Sequence, residues 1–82
     1  MNMDIKEDEL MTLSPLSVKL RKIGVIDMHR ETLRRWSKRG VKRYDGETVK
    51  LKVIRMGVRG SRYSTVRWVN EFLEKLVGAE TN

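Results

Sequence analysis

The sequence predicts a small α+β domain that combines three helices with a two- or three-stranded antiparallel β structure. Apolar residues recur with the period of an α-helix in residues 13–40 and 64–78, whereas apolar and charged residues alternate between these segments. A chain of 82 residues is long enough for one hydrophobic core but not for two. We therefore expect a single domain over residues 13–78, preceded by an acidic flexible tail (1–12) and followed by a C-terminal tail (79–82).

The first helix is predicted between Ser14 and Gly24. Ser14 can act as the N-cap, and Pro15 suits the first helical position, where its missing N–H is not needed for an intrahelical hydrogen bond. Leu16, Leu20 and Ile23 follow one another at i, i+4 and i+7 and would face the core. Gly24 tolerates the left-handed conformation that commonly ends a helix. The lysines and the arginine of this segment would remain outside.

A second helix is predicted to end at Gly40, and it follows a turn of only about four residues. Asp27 or His29 could cap its start. So short a connection forces the two helices to cross at a steep angle, as in a helix-turn-helix. The helical period places His29, Leu33 and Trp36 on one face. This face predicts core packing for Leu33 and Trp36.

The other face of the second helix carries a stripe of cations. Arg30, Arg34 and Lys38 are spaced four residues apart, and Glu31 and Arg35 lie beside them. Taken alone, such a stripe is typical of a solvated surface helix. A basic helix after a tight turn also has the geometry of a helix that enters the major groove of DNA, where arginine can bridge O6 and N7 of guanine.

The middle of the chain predicts β structure. Residues 48–53 alternate β-branched or apolar side chains with lysines, which is typical of a strand. The two glycines of Gly57–Gly60 suit a tight reversal, so residues 61–64 can pair back as a second strand. A short third strand near residues 41–44 is also compatible with the sequence.

The predicted hairpin is itself basic, since Arg55, Arg59 and Arg62 lie at or near its tip. A basic helix and a basic hairpin with little acidic sequence between them favour an anion-binding surface over a solvated face. Further phosphate contacts would come from Lys19, Lys22, Lys50 and Lys52.

The C-terminal helix is predicted to follow Ser64 or Thr65, either of which can act as its N-cap. Its apolar side chains form one continuous face, which comprises Val66, Val69, Phe72, Leu73 and Leu76. Trp68 lies at the margin of this face, and Gly78 suits the helix end. We expect this helix to close the core over the first two helices.

The positive charge is concentrated in the middle of the chain. The net charge is +7, yet residues 1–10 are acidic, and between Lys19 and Arg67 there are 16 lysines and arginines against four acidic residues. A basic field of this kind favours a polyanionic partner, with nucleic acid first and an anionic membrane surface second.

The composition argues against catalysis and against a membrane protein. The chain has no cysteine and a single histidine, His29, and it contains none of the common phosphate-binding or metal-binding motifs. We therefore expect no enzyme activity, no metal and no cofactor. Neither a signal-peptide pattern nor an apolar run of about 18 residues is present, so we expect a cytoplasmic protein without a membrane partner.

Three stretches of the chain carry a family resemblance. They are ETLRRWSKRGV from Glu31, LKVIRMGVRGSRYST from Leu51 and VRWVNEFLEKL from Val66. Together they resemble the winged helix-turn-helix domains of phage excisionases and MerR-type regulators, over nearly the whole segment from Leu13 to Leu76. The resemblance implies a small winged helix-turn-helix domain.

The resemblance also implies roles for the basic residues. The second helix would read the major groove through Arg30, Glu31, Arg34, Arg35 and Lys38. The β hairpin would be the wing, with Arg55, Arg59 and Arg62 on the DNA backbone or in the minor groove. The segment Val41–Lys50 is longer than the usual link between helix and wing. MerR activators also continue into a dimerisation helix and an effector domain, and because this chain ends at Asn82 we do not expect an effector-sensing activator.

The residues and the resemblance together predict a sequence-specific double-stranded DNA-binding protein. It would act as an excisionase-like recombination directionality factor or as a small transcriptional regulator. Its partners would be double-stranded DNA and either further copies of itself, assembling cooperatively on DNA, or a recombinase. Two alternatives stay open: DNA recognition in phage DNA packaging, as by terminase small subunits, and a protein-interaction adapter that uses the winged fold without DNA.

Overall fold

A computed structural model describes residues 7–24 and 28–77 of the chain. In chain order the elements are β1 (Met11–Thr12), α1 (Leu13–Lys22), α2 (Arg30–Lys38), β2 (Val41–Lys42), β3 (Thr48–Val49), β4 (Ile54–Met56), β5 (Ser61–Ser64) and α3 (Val66–Val77). The strands form two antiparallel sheets, a three-stranded one in the order β1-β5-β4 and a two-stranded one of β2 and β3. Three helices and two antiparallel sheets confirm the predicted small α+β domain.

Helix α1 starts earlier than its sequence pattern predicts. Its N-cap is Thr12 rather than Ser14, and the Thr12 side chain makes no capping hydrogen bond. The chain passes directly from β1 into the helix, and Leu13 is already buried in the core. Pro15 still lies in the first turn, where its missing N–H leaves no intrahelical hydrogen bond unmade.

Ile23 is the C-cap of α1 and is exposed, so its predicted place on the core face is wrong, because the helix ends at Lys22. Gly24 follows with a φ of 103°, as predicted for a left-handed stop.

The connection between α1 and α2 is longer than the predicted turn of about four residues, because residues 23–29 separate the two helices. The end of this connection is held to α1 by a hydrogen bond that Arg21 Nη1 donates to the carbonyl oxygen of Met28 (2.6 Å). The side chain of Met28 is buried. His29 is the N-cap of α2, but its side chain is exposed and makes no capping bond, so its predicted place on the apolar face is wrong. Asp27, the other predicted cap, lies outside the described residues.

Only Thr48–Val49 of the predicted strand over residues 48–53 forms a strand, and the strand that leads into the Gly57–Gly60 turn begins later, at Ile54. Strand β3 pairs with β2, which confirms the short additional strand, and β4 pairs with β5. The chain leaves the sheet between β3 and β4 because Leu51 is buried in the core. The N–H of Leu51 donates to the carbonyl oxygen of Trp36 (3.1 Å) instead of to a neighbouring strand.

Strand β1 lies inside the segment predicted to be a flexible tail, so the prediction is wrong for residues 7–12. Met11 pairs with Ser64 and Thr12 with Tyr63, which makes β5 the central strand of its sheet. Residues 1–6 and 79–82, the other parts of the predicted tails, lie outside the described residues.

The buried core draws on all three helices and on the segment after β3. Among the described residues it comprises Leu13, Leu16, Leu20, Met28, Leu33, Leu51, Val66, Val69 and Phe72. Trp36 and Trp68 are partly buried and pack against this core, as predicted. The ring centroids of Trp36 and Phe72 lie 4.7 Å apart. Thr65 Oγ1 accepts a hydrogen bond from the Trp68 N–H (3.0 Å), so Thr65 is the predicted cap that α3 uses. Gly78 lies outside the described residues.

Candidate functional site

Helix α2 presents two arginines outward because its opposite face is buried. Leu33 is fully buried and Trp36 partly buried, whereas the side chains of Arg30 and Arg34 are 61% and 51% exposed. The Glu31 carboxylate lies 3.6 Å from Arg30 Nη2 and 3.9 Å from Arg34 Nη1. Exposed pairs of this kind are worth at most about 1 kcal/mol. They hold the arginines side by side while most guanidinium N–H groups remain free to bind a ligand.

The β4–β5 hairpin presents three more arginines. Gly57 and Gly60 adopt φ values of 88° and 66°, and the Gly60 N–H donates to the Gly57 carbonyl oxygen (3.1 Å), which confirms the predicted reversal. Arg55 and Arg62 are direct cross-strand partners, and Arg59 lies in the turn itself. Arg55 Nε donates to the carbonyl oxygen of Gly60 (3.1 Å), so this side chain lies against the turn.

These two elements meet at one open cleft of about 470 Å³. The cleft is lined by Thr12, Leu13, Ser14, Arg30, Arg34, Arg55, Arg59, Gly60, Ser61 and Arg62. We call this site the arginine cleft after its five arginines. Among the residues that the structure describes, no carboxylate lines it. The structure thus brings together all three hairpin arginines and two of the predicted recognition-helix residues.

Glu31 partly balances Arg30 and Arg34, but the hairpin side of the arginine cleft holds like charges close together. Like charges directly opposite each other in an antiparallel pair are destabilising, as for Arg55 and Arg62. The first turn of α1, at Leu13 and Ser14, adds the partial positive charge of a helix N-terminus to the same cleft. A guanidinium group can bind phosphate through two parallel N–H donors. The arrangement therefore suits the phosphate groups of a polyanion.

A second basic groove runs along the outer side of α2. It has a volume of about 280 Å³ and is lined by Glu31, Arg34, Arg35, Lys38 and Arg39. We call it the outer groove. Arg34 lines both sites, so the basic surface is continuous from the β4–β5 hairpin across α2. Arg39 is not predicted as a site residue from the sequence, because it falls outside the four-residue spacing of Arg30, Arg34 and Lys38, although it is adjacent to Lys38.

The four lysines predicted to contact phosphate lie outside both basic sites. Lys19 forms an ion pair with Glu9 (3.8 Å) and lines, together with Lys22, a separate apolar groove on α1. Lys52 Nζ lies 4.6 Å from the centre of the Trp68 ring. Lys50 is exposed after β3. The sequence shows that these lysines are close to basic elements but not which way each one faces.

The acidic residues before β1 bind cations away from the arginine cleft. The backbone N–H of Arg67 donates to the carbonyl oxygen of Glu7 (3.0 Å), and its guanidinium donates to the Asp8 carboxylate. The hydrogen bond and the charge of Asp8 raise the pKa of Arg67. Glu9 pairs with Lys19. The acidic residues 7–9 therefore leave the five arginines available.

The described residues, 7–24 and 28–77, contain neither a candidate metal site nor a membrane-spanning helix. No group of three or more His, Cys, Asp or Glu side chains there could hold a metal ion. No helix in the same part of the chain is long and apolar enough to cross a membrane. The chain matches no known family model, and it has no match among curated proteins or solved structures.

Proposed function

We propose that the protein binds double-stranded DNA as a winged helix-turn-helix domain, with α2 in the major groove and the β4–β5 hairpin as the wing. The observation that carries this proposal is the arginine cleft, where five arginines from α2 and the β4–β5 hairpin line one site and no carboxylate of the described residues lines it. A DNA duplex presents closely and regularly spaced phosphates, so it can neutralise several of these cations at once.

The position of each arginine suggests its contact. Arg30 and Arg34 project from the exposed side of α2 and are placed to read base edges, where arginine prefers guanine. The three hairpin arginines are placed to bind phosphates on one side of the groove. The cations of the outer groove would bind the backbone on the other side; they are Arg35, Lys38 and Arg39.

A duplex fits the site better than a single strand does. Single-strand binding relies on exposed aromatic side chains on which bases can stack. Among the described residues no aromatic side chain lines the arginine cleft or the outer groove, and Trp36 and Trp68 pack against the core. The cleft offers guanidinium and hydroxyl groups, which bind backbone phosphates and base edges.

Within DNA-binding proteins, we propose a recombination directionality factor or a small transcriptional regulator, on the basis of the excisionase-like sequence pattern. A module of this size typically covers about 600 to 1,000 Å² of protein surface on DNA. Useful specificity would then come from several copies on adjacent sites or from a partner protein such as a recombinase.

The test is selection of bound sites from a pool of random duplexes, followed by titration of the enriched duplex. We expect a shared motif to be enriched, because base contacts from α2 discriminate between sequences. The double charge reversal Arg34→Glu with Arg59→Glu should abolish binding to all duplexes. The matched control, Lys42→Glu with Lys75→Glu, removes the same charge from exposed positions outside both basic sites.

An adapter protein would give a different result in the same experiment. No duplex would be enriched, and the two double variants would behave alike. Loss of DNA affinity in the control variant as large as in the cleft variant would show that net charge, rather than the cleft, causes the binding.

A further inference from the structure

The β2–β3 hairpin carries an exposed aromatic side chain that neither the core nor the arginine cleft uses. Tyr44, in its turn, is 83% exposed. The turn is held by backbone hydrogen bonds from the Arg43 N–H to the Glu47 carbonyl oxygen (2.7 Å) and from the Gly46 N–H to the Arg43 carbonyl oxygen (3.0 Å). The Glu47 N–H also donates to Asp45 Oδ1 (3.1 Å). A tip ordered in this way loses little conformational entropy when a partner covers the ring.

The tip of this hairpin is acidic, in contrast to the arginine cleft. Arg43 Nη2 lies 3.3 Å from Asp45 Oδ2, and the Arg43 guanidinium lies 5.6 Å from the centre of the Tyr44 ring, so this cation is already engaged within the turn. Glu47 makes no ion pair within the described part of the chain. An exposed tyrosine beside an unpaired carboxylate is poorly suited to DNA phosphates. It suits a protein surface that offers an apolar groove and a cation, since tyrosine is a frequent anchor of protein interfaces.

Helix α1 offers such a surface. An open groove of about 540 Å³ is lined by Met11, Pro15 and Val18 together with Lys19 and Lys22. Val18 is 42% exposed there, although it is an apolar residue on a helix. Lys19 is paired with Glu9, whereas Lys22 makes no ion pair with any described residue. The groove thus combines an apolar surface with one available cation, and it shares no residue with the arginine cleft.

We propose that Tyr44 of one copy of this chain docks in the α1 groove of a second copy, with Glu47 beside Lys22. Every copy carries both halves of the contact, and the halves match in charge and in polarity. Charge also favours the β2–β3 hairpin over the β4–β5 hairpin as the element that docks in the groove. Val58, at the tip of the β4–β5 hairpin, is fully exposed as well, but its neighbouring arginines would be repelled by the lysines of the groove.

Each copy contributes two different surfaces, so the contact forms either reciprocally within a two-fold pair or head-to-tail along a ring or an open array. The contact uses none of the residues that line the arginine cleft. The proposal goes beyond DNA binding and does not depend on it, and it can be tested in the absence of DNA.

The experiment uses pairs of single-cysteine variants of the full chain, which has no cysteine of its own. Glu47→Cys and Lys22→Cys replace the proposed charge pair and leave Tyr44 and the apolar groove intact. The two variants are mixed under mild oxidation, and the rate of mixed disulfide formation is measured. The control mixes Arg59→Cys, on the other hairpin, with the same Lys22→Cys variant. A further mixture carries Tyr44→Ala in the Glu47→Cys chain.

We expect the Glu47→Cys mixture to crosslink faster than the Arg59→Cys control. Tyr44→Ala should slow it by about tenfold or more, the usual effect of truncating a tyrosine anchor. Because Tyr44 is mostly exposed, this substitution removes little packing within its own chain. Equal rates for the two hairpins, or a rate that Tyr44→Ala leaves unchanged, would overturn the proposal.

Discussion

Arg34 lies where the two basic sites join. It lines both the arginine cleft and the outer groove, whereas Arg35, one residue later, lines the outer groove alone. The difference arises because consecutive residues on a helix point about 100° apart. Buried Leu33 fixes the rotation of α2 and therefore the direction of both arginines. In the proposed DNA complex, Arg34 would therefore face base edges and Arg35 the DNA backbone.

Alanine substitutions should separate these two roles. Arg34→Ala should weaken binding to the preferred duplex by about 1 to 3 kcal/mol and relax the base preference at one position, as expected for a lost bidentate contact to a base. Arg35→Ala should weaken binding to all sequences by a similar factor. Site selection repeated with each variant measures the difference, and an unchanged motif with Arg34→Ala would contradict the assignment.

Lys52 has a structural role where the sequence predicts a phosphate contact. Its Nζ lies over the ring of Trp68, and exposed cation–π contacts are worth about 0.5 to 1 kcal/mol. We expect Lys52→Ala to lower the free energy of unfolding by this amount and to leave DNA affinity nearly unchanged, whereas Lys52→Arg should keep the stability of the unaltered protein. Arg59→Ala should instead lower DNA affinity and leave the free energy of unfolding nearly unchanged. Urea denaturation and DNA titration of the three variants measure both quantities, and a large loss of DNA affinity in Lys52→Ala would show that the lysine contacts DNA after all.

At the scale of elements, α2 and the β2–β3 hairpin approach each other closely at Gly40. Gly40 has a φ of 76°, and its N–H donates to the Arg35 carbonyl oxygen (3.2 Å), as predicted for a helix stop. A Cβ atom at Gly40 would lie 2.5 Å from the Val49 carbonyl oxygen and 2.8 Å from Lys50 Cγ. The close approach of helix and hairpin fixes where Tyr44 projects relative to the arginine cleft.

Two glycine substitutions isolate the contribution of this packing. Gly57 also has a positive φ, of 88°, but no atom lies within 4 Å of a Cβ built there. Gly57→Ala should therefore cost only the left-handed strain, about 1 kcal/mol. Gly40→Ala should cost at least about 1 kcal/mol more, because the backbone of β3 must move. Equal losses in urea denaturation would mean that the junction is not tightly packed.

Across the whole molecule, the sequence predicts the helices better than the strands. The helices follow from apolar residues three and four positions apart, such as Leu16 with Leu20 and Val69 with Phe72, which bury one face of each helix. The two-residue strand β1 carries no pattern of its own and exists because β5 lies beside it. Strand β3 covers only the first two residues of the alternating stretch 48–53, because Leu51 is buried in the core.

The residues of the candidate site could likewise be predicted from the sequence only in part. The five arginines of the cleft could be predicted, because each lies on one of two basic elements, α2 and the β4–β5 hairpin. The lysines of α1 could not, since their direction depends on how the helix packs. Lys19 and Lys22 face the apolar groove, on a different side of α1 from Ser14, which lines the arginine cleft. The partner surface of Tyr44 likewise becomes visible only when the folded chain places these residues together.

The central claim is that the arginine cleft and the outer groove bind the phosphates of a DNA duplex. The most direct measurement is the binding constant for a short duplex as a function of salt concentration. If about six to eight phosphates are neutralised, log K should fall against log salt with a slope of about −5 to −7. The variant with Arg34→Glu and Arg59→Glu should show a much shallower slope than Lys42→Glu with Lys75→Glu. A slope near zero for the unaltered protein would contradict the claim.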